Sequence, residues 1–314
     1  VHKDRMKGIS AVLVASMLWG TTGTAATFAP NVGPLAIGAA ALGIGGLLQA
    51  VVAIPALRQA HMQLRAHRAL VLLGAVAVFV YPLAFYSAMH LAGVAIGTVI
   101  SLASAPLASG ILERLLDQQR LGIWWSTAAA LGIVGSILLI TASSNSIAAD
   151  ESRIALGIVL GLLAGSAYAT YSWVVQRLMG QQLNRAAAMG AVFGAGGLLL
   201  LPVLLITGMP LLATPESLAV GAYMALIPMF LGYFAFGYGL SKLPASSATT
   251  ITLTEPAVAT ILAVLIVGER LTIAGWVGMS LFGVVLLLLA FAPGRGPIPA
   301  TKTAETSALT EPSR

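Results

Sequence analysis

At 314 residues, the chain is 58% hydrophobic and only 8% charged, against about 25% charged for an ordinary soluble domain. So few charges could not cover a soluble surface, so a soluble fold is excluded and the composition reads as a polytopic membrane protein. Cysteine is absent, which removes disulfides and thiolate metal sites; the net charge of +6 is explained by where the basic residues fall.

Ten apolar stretches follow one another, each near the roughly 20 residues that a bilayer-crossing helix needs. They run over Gly8–Phe28, Pro34–Ala56, Leu70–Met89, Gly93–Leu112, Ile123–Thr141, Ile154–Val175, Ala186–Ile206, Leu218–Tyr238, Ala245–Val267 and Ile273–Phe291. At this length only helices satisfy their own backbone in lipid, so a barrel is excluded. The chain opens Val-His-Lys-Asp-Arg, and Met6 is the expected start. Lys3, Arg5 and Lys7 before an apolar run imitate a signal peptide. Cleavage is not expected, because the first stretch has a counterpart in the second half. The residues from Pro293 onward are polar and rich in Pro, Thr and Ala, and read as a disordered tail.

Basic residues set the expected topology. With both termini cytoplasmic, all of the 16 Lys and Arg fall inside except Arg153 and Arg270. The positive charge is then a topology signal facing anionic lipid, with no patch left for nucleic acid.

Shifting the chain by about 150 residues aligns landmarks: Ala95 with Ala245, Pro106 with Pro256, Leu121 with Leu271 and Ile123 with Ile273. In the first helices Gly8 pairs with Gly157, Trp19 with Tyr168 and Thr21 with Thr170. The expected fold is therefore all-α, with ten transmembrane helices as two inverted five-helix repeats. Its parts are a short segment at 1–7, a first repeat at 8–145, a second at 150–292 and a tail at 293–314. Inverted repeats are the usual architecture of secondary transporters, with the solute site between the halves.

The second half carries Ala-Ser-Ser-Ala at 245–248, Leu-Thr-Glu-Pro-Ala at 253–257 and Gly-Glu-Arg-Leu at 268–271, and the first half has Trp-Gly at 19–20. These motifs resemble the EamA-type, ten-helix branch of the drug/metabolite transporter superfamily, over essentially residues 8–292. Within the branch the chain is most similar to YddG-type amino-acid exporters. The resemblance implies a basket of helices one, three, four, six, eight and nine around a central cavity, with five and ten peripheral. It also implies rocking of helix pairs three–four and eight–nine. The first repeat departs from the pattern, having Ala105-Pro106 opposite Glu255-Pro256, so any role of Glu255 is asymmetric.

Glu255 reads as the acidic residue well inside a span, and intramembrane ionisable groups usually line a pathway. It could contact a substrate ammonium or a proton, or hold helix nine structurally. Pro106 and Pro256 lack amide donors and free the carbonyls of Leu102 and Thr252, either bending the helices or offering ligands. Ser101 and Thr254 lie nearest the proline level, as polar lining or as glue between helices. Trp19 and Tyr168 sit mid-span, with Tyr81 and Tyr86 on helix three and Tyr233 and Tyr238 on helix eight. Such a constellation packs helices or grips an apolar body and, through cation–π attraction, an ammonium. His90, at the outer link, is a vestibule contact or a structural residue. Glycine pairs at four-residue spacing read as helix packing.

No His-Glu-x-x-His and no Gly-Lys-Ser/Thr phosphate loop is present, so no catalytic residue, metal or cofactor is expected, and no ATPase subunit lies in the chain. The expected activity is secondary transport of a small solute by alternating access, preferably export of neutral or aromatic amino acids across the bacterial inner membrane. The alternatives are a proton-coupled exporter of drugs and metabolites, and a channel.

Overall fold

The computed structural model describes residues 2–141, 151–262 and 272–291. Gly-Glu-Arg-Leu at 268–271, with Arg270, lies outside the described residues, as do the end of the ninth stretch and the tail from 293.

Among the described residues the chain is helical, without strands. The first span is α1 (His2–Trp19) with the short α2 (Thr22–Ala26). The second is α3 (Pro34–Gly38), a π-helical segment over Ala39–Ile44, and α4 (Gly45–Val52). Two short helices, α5 (Ile54–Gln59) and α6 (His61–Ala66), lead to α7 (Arg68–Ala92), α8 (Val94–Leu116) and α9 (Ile123–Thr141). The second half opens with α10 (Glu151–Gly180) and α11 (Arg185–Thr207). Its eighth span is α12 (Pro215–Met224), a π-helical segment over Ala225–Leu231, and α13 (Gly232–Leu240). The ninth is α14 (Ala245–Ile251), a 3-10 turn at Thr252–Thr254, and α15 (Glu255–Leu262); the tenth is α16 (Ile273–Phe291).

Eight of these segments are long and apolar enough to cross a membrane, and a ninth, Ile123–Leu138, is apolar but shorter. Each stretch expected to span is mostly helical where it is described, with short breaks such as those at Gly20–Thr21 and Ala53. Apolar side chains on the outer faces are left bare, among them Leu205, Ile206 and Ile273, as lipid contact requires.

The packing carries the repeat. The sixth span lies along the third and fourth, and the first along the eighth and ninth; the second pairs with the seventh and the fifth with the tenth. Exchanging the halves converts each of these contacts into another of the set, as an approximate two-fold axis requires. Small residues let the helices close. A Cβ on Gly46 would sit 2.3 Å from the Phe193 carbonyl, and one on Gly165 would collide with Ser104. These approaches join spans two to seven and six to four. The glycine rows are thus packing surfaces.

Candidate functional site

Four spans lose regular α-helical geometry at one level. The first breaks at Gly20–Thr21, the second and eighth widen into π-helix, and the ninth tightens into a 3-10 turn. In the ninth the cause is local. Pro256 has no amide to give Thr252, so the Thr252 carbonyl accepts from Glu255 instead. The freed carbonyl is therefore taken within the chain and is not a free ligand. Pro106, by contrast, lies within the continuous α8. Irregular backbone at membrane depth is tolerated where it is buried in protein or lines a cavity, and π-turns concentrate at functional sites. Here the two π segments pack on each other.

A cavity opens at this level. The first span contributes Trp19 and Thr22, and the π segment of the second contributes Ala41 and Leu42. From α7 come Tyr81, Pro82, Phe85 and Tyr86; the eighth span adds Met229 and Tyr233, and the ninth adds Glu255. Its walls stand close, leaving clear space for about one water molecule. Helix two, which the family resemblance leaves out of the basket, lines the cavity; helices four and six contribute no wall residue.

Side-chain donors hold the irregular backbone. Trp19 Nε1 donates to the Pro228 carbonyl at 2.8 Å, and Gln49 Nε2 donates to the Phe230 carbonyl at 2.7 Å. Both carbonyls belong to the eighth span's π segment. Below the cavity lies an aromatic floor. Trp19 and its repeat mate Tyr168 meet edge to face with centroids 6.2 Å apart. Tyr168 donates to Thr252 Oγ1 at 3.0 Å, and the hydroxyls of Tyr171 and Tyr233 are 2.6 Å apart. Tyr168, Tyr171, Phe193 and Phe236 are all buried.

Beneath the floor, toward the end that carries Arg114, Arg177 and Lys242, polar groups tie the helices together. Glu113 of α8 accepts from the Ser246 amide at 2.8 Å and its hydroxyl at 2.7 Å. Gln176 of α10 accepts from the Ala245 amide at 3.1 Å and donates to the Leu243 carbonyl at 2.7 Å. Asp117 pairs with Arg177 and accepts from Trp173 Nε1 at 2.7 Å. Spans four and six thus converge on the start of α14.

The structure distributes the sequence candidates unevenly. Trp19, Tyr81, Tyr86, Tyr233 and Glu255 line one cavity, and Tyr168 lies in its floor. Ser101 donates back to Gly97 at 2.7 Å and Thr254 to Ile251 at 2.8 Å, each within its own helix. Tyr238 lies away from the cavity, with the Arg185 guanidinium 5.1 Å from its ring centre, and His90 is exposed near the far end of α7. Glu113, only 2% exposed, was missed. It sits one residue past the apolar run expected for span four, and α8 continues past it to Leu116. Its four-residue spacing from Asp117 was the available signal.

A family model described as the EamA-like transporter family matches residues 6–141 and again 155–291. An uncharacterized transporter of Bacillus subtilis, YwfM, is 36% identical over 298 residues, covering 94% of this chain and 96% of its own length. An uncharacterized transporter of Clostridium kluyveri is 23% identical over 180 residues, 56% of this chain and 57% of that one. A solved crystal structure shares the fold with a TM-score of 0.72 at 18% identity, over 90% of this chain and 95% of the other.

Proposed function

This chain belongs to the EamA-like transporter family of the drug/metabolite superfamily, and from that premise we propose that it is a secondary transporter whose solute site is the cavity between Trp19 and Glu255. The observation that carries the reading is the position of Glu255. Glu255 is only 9% exposed, in the wall of a cavity built where the helices of both halves lose regular geometry. A buried carboxylate at membrane depth is costly and usually serves a pathway.

The mechanism is alternating access. The aromatic floor and the Glu113, Gln176 and Asp117 contacts close the end rich in Arg and Lys. Charge distribution makes that end cytoplasmic, with both termini inside and the protein in the bacterial inner membrane. Passage requires spans three–four and eight–nine to rock so that this end opens and the other closes.

The solute carries an ammonium group on an apolar or aromatic body, and export of neutral or aromatic amino acids is the first reading. The resemblance to YddG-type exporters and the aromatic walls support it. A proton-coupled exporter of broader specificity is the second reading, favoured by the lone carboxylate at the site.

Counterflow in proteoliposomes preloaded with one amino acid at a time tests the first reading. Labelled uptake stimulated by Phe, Met, Leu or Thr is expected; no stimulation in folded protein rules out amino acids. Uphill flux driven by a pH gradient and lost in Glu255→Gln would select the second reading.

A further inference from the structure

Arg58, Arg65 and Arg68 stand in a stretch without negative charge, since no Asp or Glu occurs between Asp4 and Glu113. Arg58 belongs to α5 and Arg65 to α6, the two short helices between spans two and three, and Arg68 opens α7. All three are exposed, and among the described residues none has an ion pair. Other basic residues at this end are engaged by the protein. Arg177 pairs with Asp117, Lys242 stands 3.9 Å from Asp4, and Arg185 lies over the rings of Phe234 and Tyr238.

The link between the spans has three sides. Backbone bonds of the helical type continue through its junction, from the Ala60 amide to the Ala56 carbonyl and from the Leu64 amide to the Ala60 carbonyl, each at 2.9 Å. Helical spacing therefore sorts the residues across both short helices. Ala53, Leu57, Ala60 and Leu64 form one side and are buried or half-buried, with α5 packed on α11. Ile54, Arg58, His61 and Arg65 form the second, and all are exposed. Pro55, Gln59, Gln63 and Ala66 form the third, which carries no charge. Ile54 and Met62, 41% and 64% exposed, put apolar surface beside the arginines.

The fold itself does not require this. The equivalent link of the second half, residues 208–214 at the other end of the molecule, reads Gly-Met-Pro-Leu-Leu-Ala-Thr and makes only a 3-10 turn at Met209–Leu212. Basic helices with apolar residues on the arginine side occur at one end alone.

We propose that the α5–α6 link is a docking surface for anionic phospholipid headgroups, with Arg58, Arg65 and Arg68 meeting phosphates and Ile54 and Met62 seated at the acyl boundary. Long basic side chains beside apolar ones suit that depth, the stems lying in apolar surroundings and the charges reaching the phosphates. A bilayer is favoured over an acidic soluble partner because the link joins two spans and packs on a third, which holds it at the membrane surface. Through α6 and His67, headgroup contact then anchors the cytoplasmic end of span three. The surface is independent of which solute the cavity takes.

The natural chain has no cysteine, so Met62→Cys carries a single fluorophore. The labelled protein is reconstituted in phosphatidylcholine vesicles doped with equal small fractions of phosphatidylglycerol or phosphatidylcholine, each bearing the same quencher near the glycerol. Quenching should show a local preference for phosphatidylglycerol of at least about fivefold, the worth of one arginine at an anionic surface. The preference should fall to parity in Arg58→Gln/Arg65→Gln and at high salt, where such contacts are screened. A label at Met209→Cys, on the equivalent link, should report parity throughout.

An unquenched label at position 62 would overturn the proposal and leave this face to water or a soluble partner. Equal quenching by the two lipids, or a preference that survives loss of both arginines, would overturn it by showing apolar contact without headgroup recognition. The same preference at position 209 would make it a property of the whole protein and overturn it too. The salt response and the comparison of the two labels keep both arginines, so they decide the question even where the glutamine variant fails to fold.

Discussion

Glu113 receives both the backbone amide and the hydroxyl of Ser246, at 2.8 and 2.7 Å, from a helix 133 residues further along the chain. The carboxylate thus caps the first turn of α14, where amides lack helical partners and an anion is favoured. Because Glu113 is almost fully buried, its removal leaves two donors without partners. Glu113→Ala should therefore lower unfolding stability in detergent by about 3 kcal/mol. Glu113→Gln, which keeps an acceptor oxygen, should lose about half of that. A thermal unfolding midpoint unchanged in the alanine variant would show that this contact does not hold the two helices.

One turn further into the membrane, Thr249 Oγ1 lies 3.2 Å from Ser109 Oγ. The hydroxyls therefore mark a point where spans four and nine are within reach of a disulfide. The natural chain has no cysteine, so a pair placed here is the only pair. Oxidised Ser109→Cys/Thr249→Cys is expected to lose counterflow and regain it on reduction, because alternating access requires this end to part. Full exchange in the oxidised, cross-linked protein would mean that spans four and nine move as one body.

Trp19 depends on a missing side chain. A Cβ on Gly232 would lie 2.7 Å from Trp19 Nε1, the atom that donates to the Pro228 carbonyl. Gly232→Ala should push the indole off that carbonyl, costing about 1–3 kcal/mol and weakening solute competition severalfold. Trp19→Phe removes the donor without a clash and should cost the lower part of that range. The two variants together separate the loss of the bond from displacement of the ring, read by thermal unfolding alongside counterflow.

Much of this arrangement is written in the sequence at the level of depth. Trp19 and Tyr168 occupy equivalent positions in the two halves, and residues near an approximate two-fold axis meet their own mates, as these do. The depth of Glu255 follows from counting along an apolar run. Facing and register are harder to read. Tyr238 lies only five residues beyond Tyr233, yet that step carries it out of the cavity to Arg185. Ala41 and Leu42 line the cavity through the shape of a π segment, and their side chains advertise no chemistry. The hydroxyls of Ser101 and Thr254 have two sets of partners open to them, and the nearer one, their own helix, takes them.

The π segment of span eight gives the last expectation. A π turn shifts the hydrogen-bond ladder by one residue, and here two of its carbonyls accept from side chains of other spans, Pro228 from Trp19 and Phe230 from Gln49. Gln49 is 5% exposed, so its amide would be expensive to bury without that partner. Gln49→Leu keeps the approximate volume and deletes the donor, leaving the Phe230 carbonyl unpaired at membrane depth. About 1–3 kcal/mol of stability should be lost. Because Met229 and Tyr233 flank the released carbonyl and line the cavity, solute competition should weaken too, while Gln49→Glu, which substitutes an acceptor for the donor, should be no better than leucine. A leucine variant with unaltered unfolding and unaltered competition would mean that the π segment holds its shape without this bond.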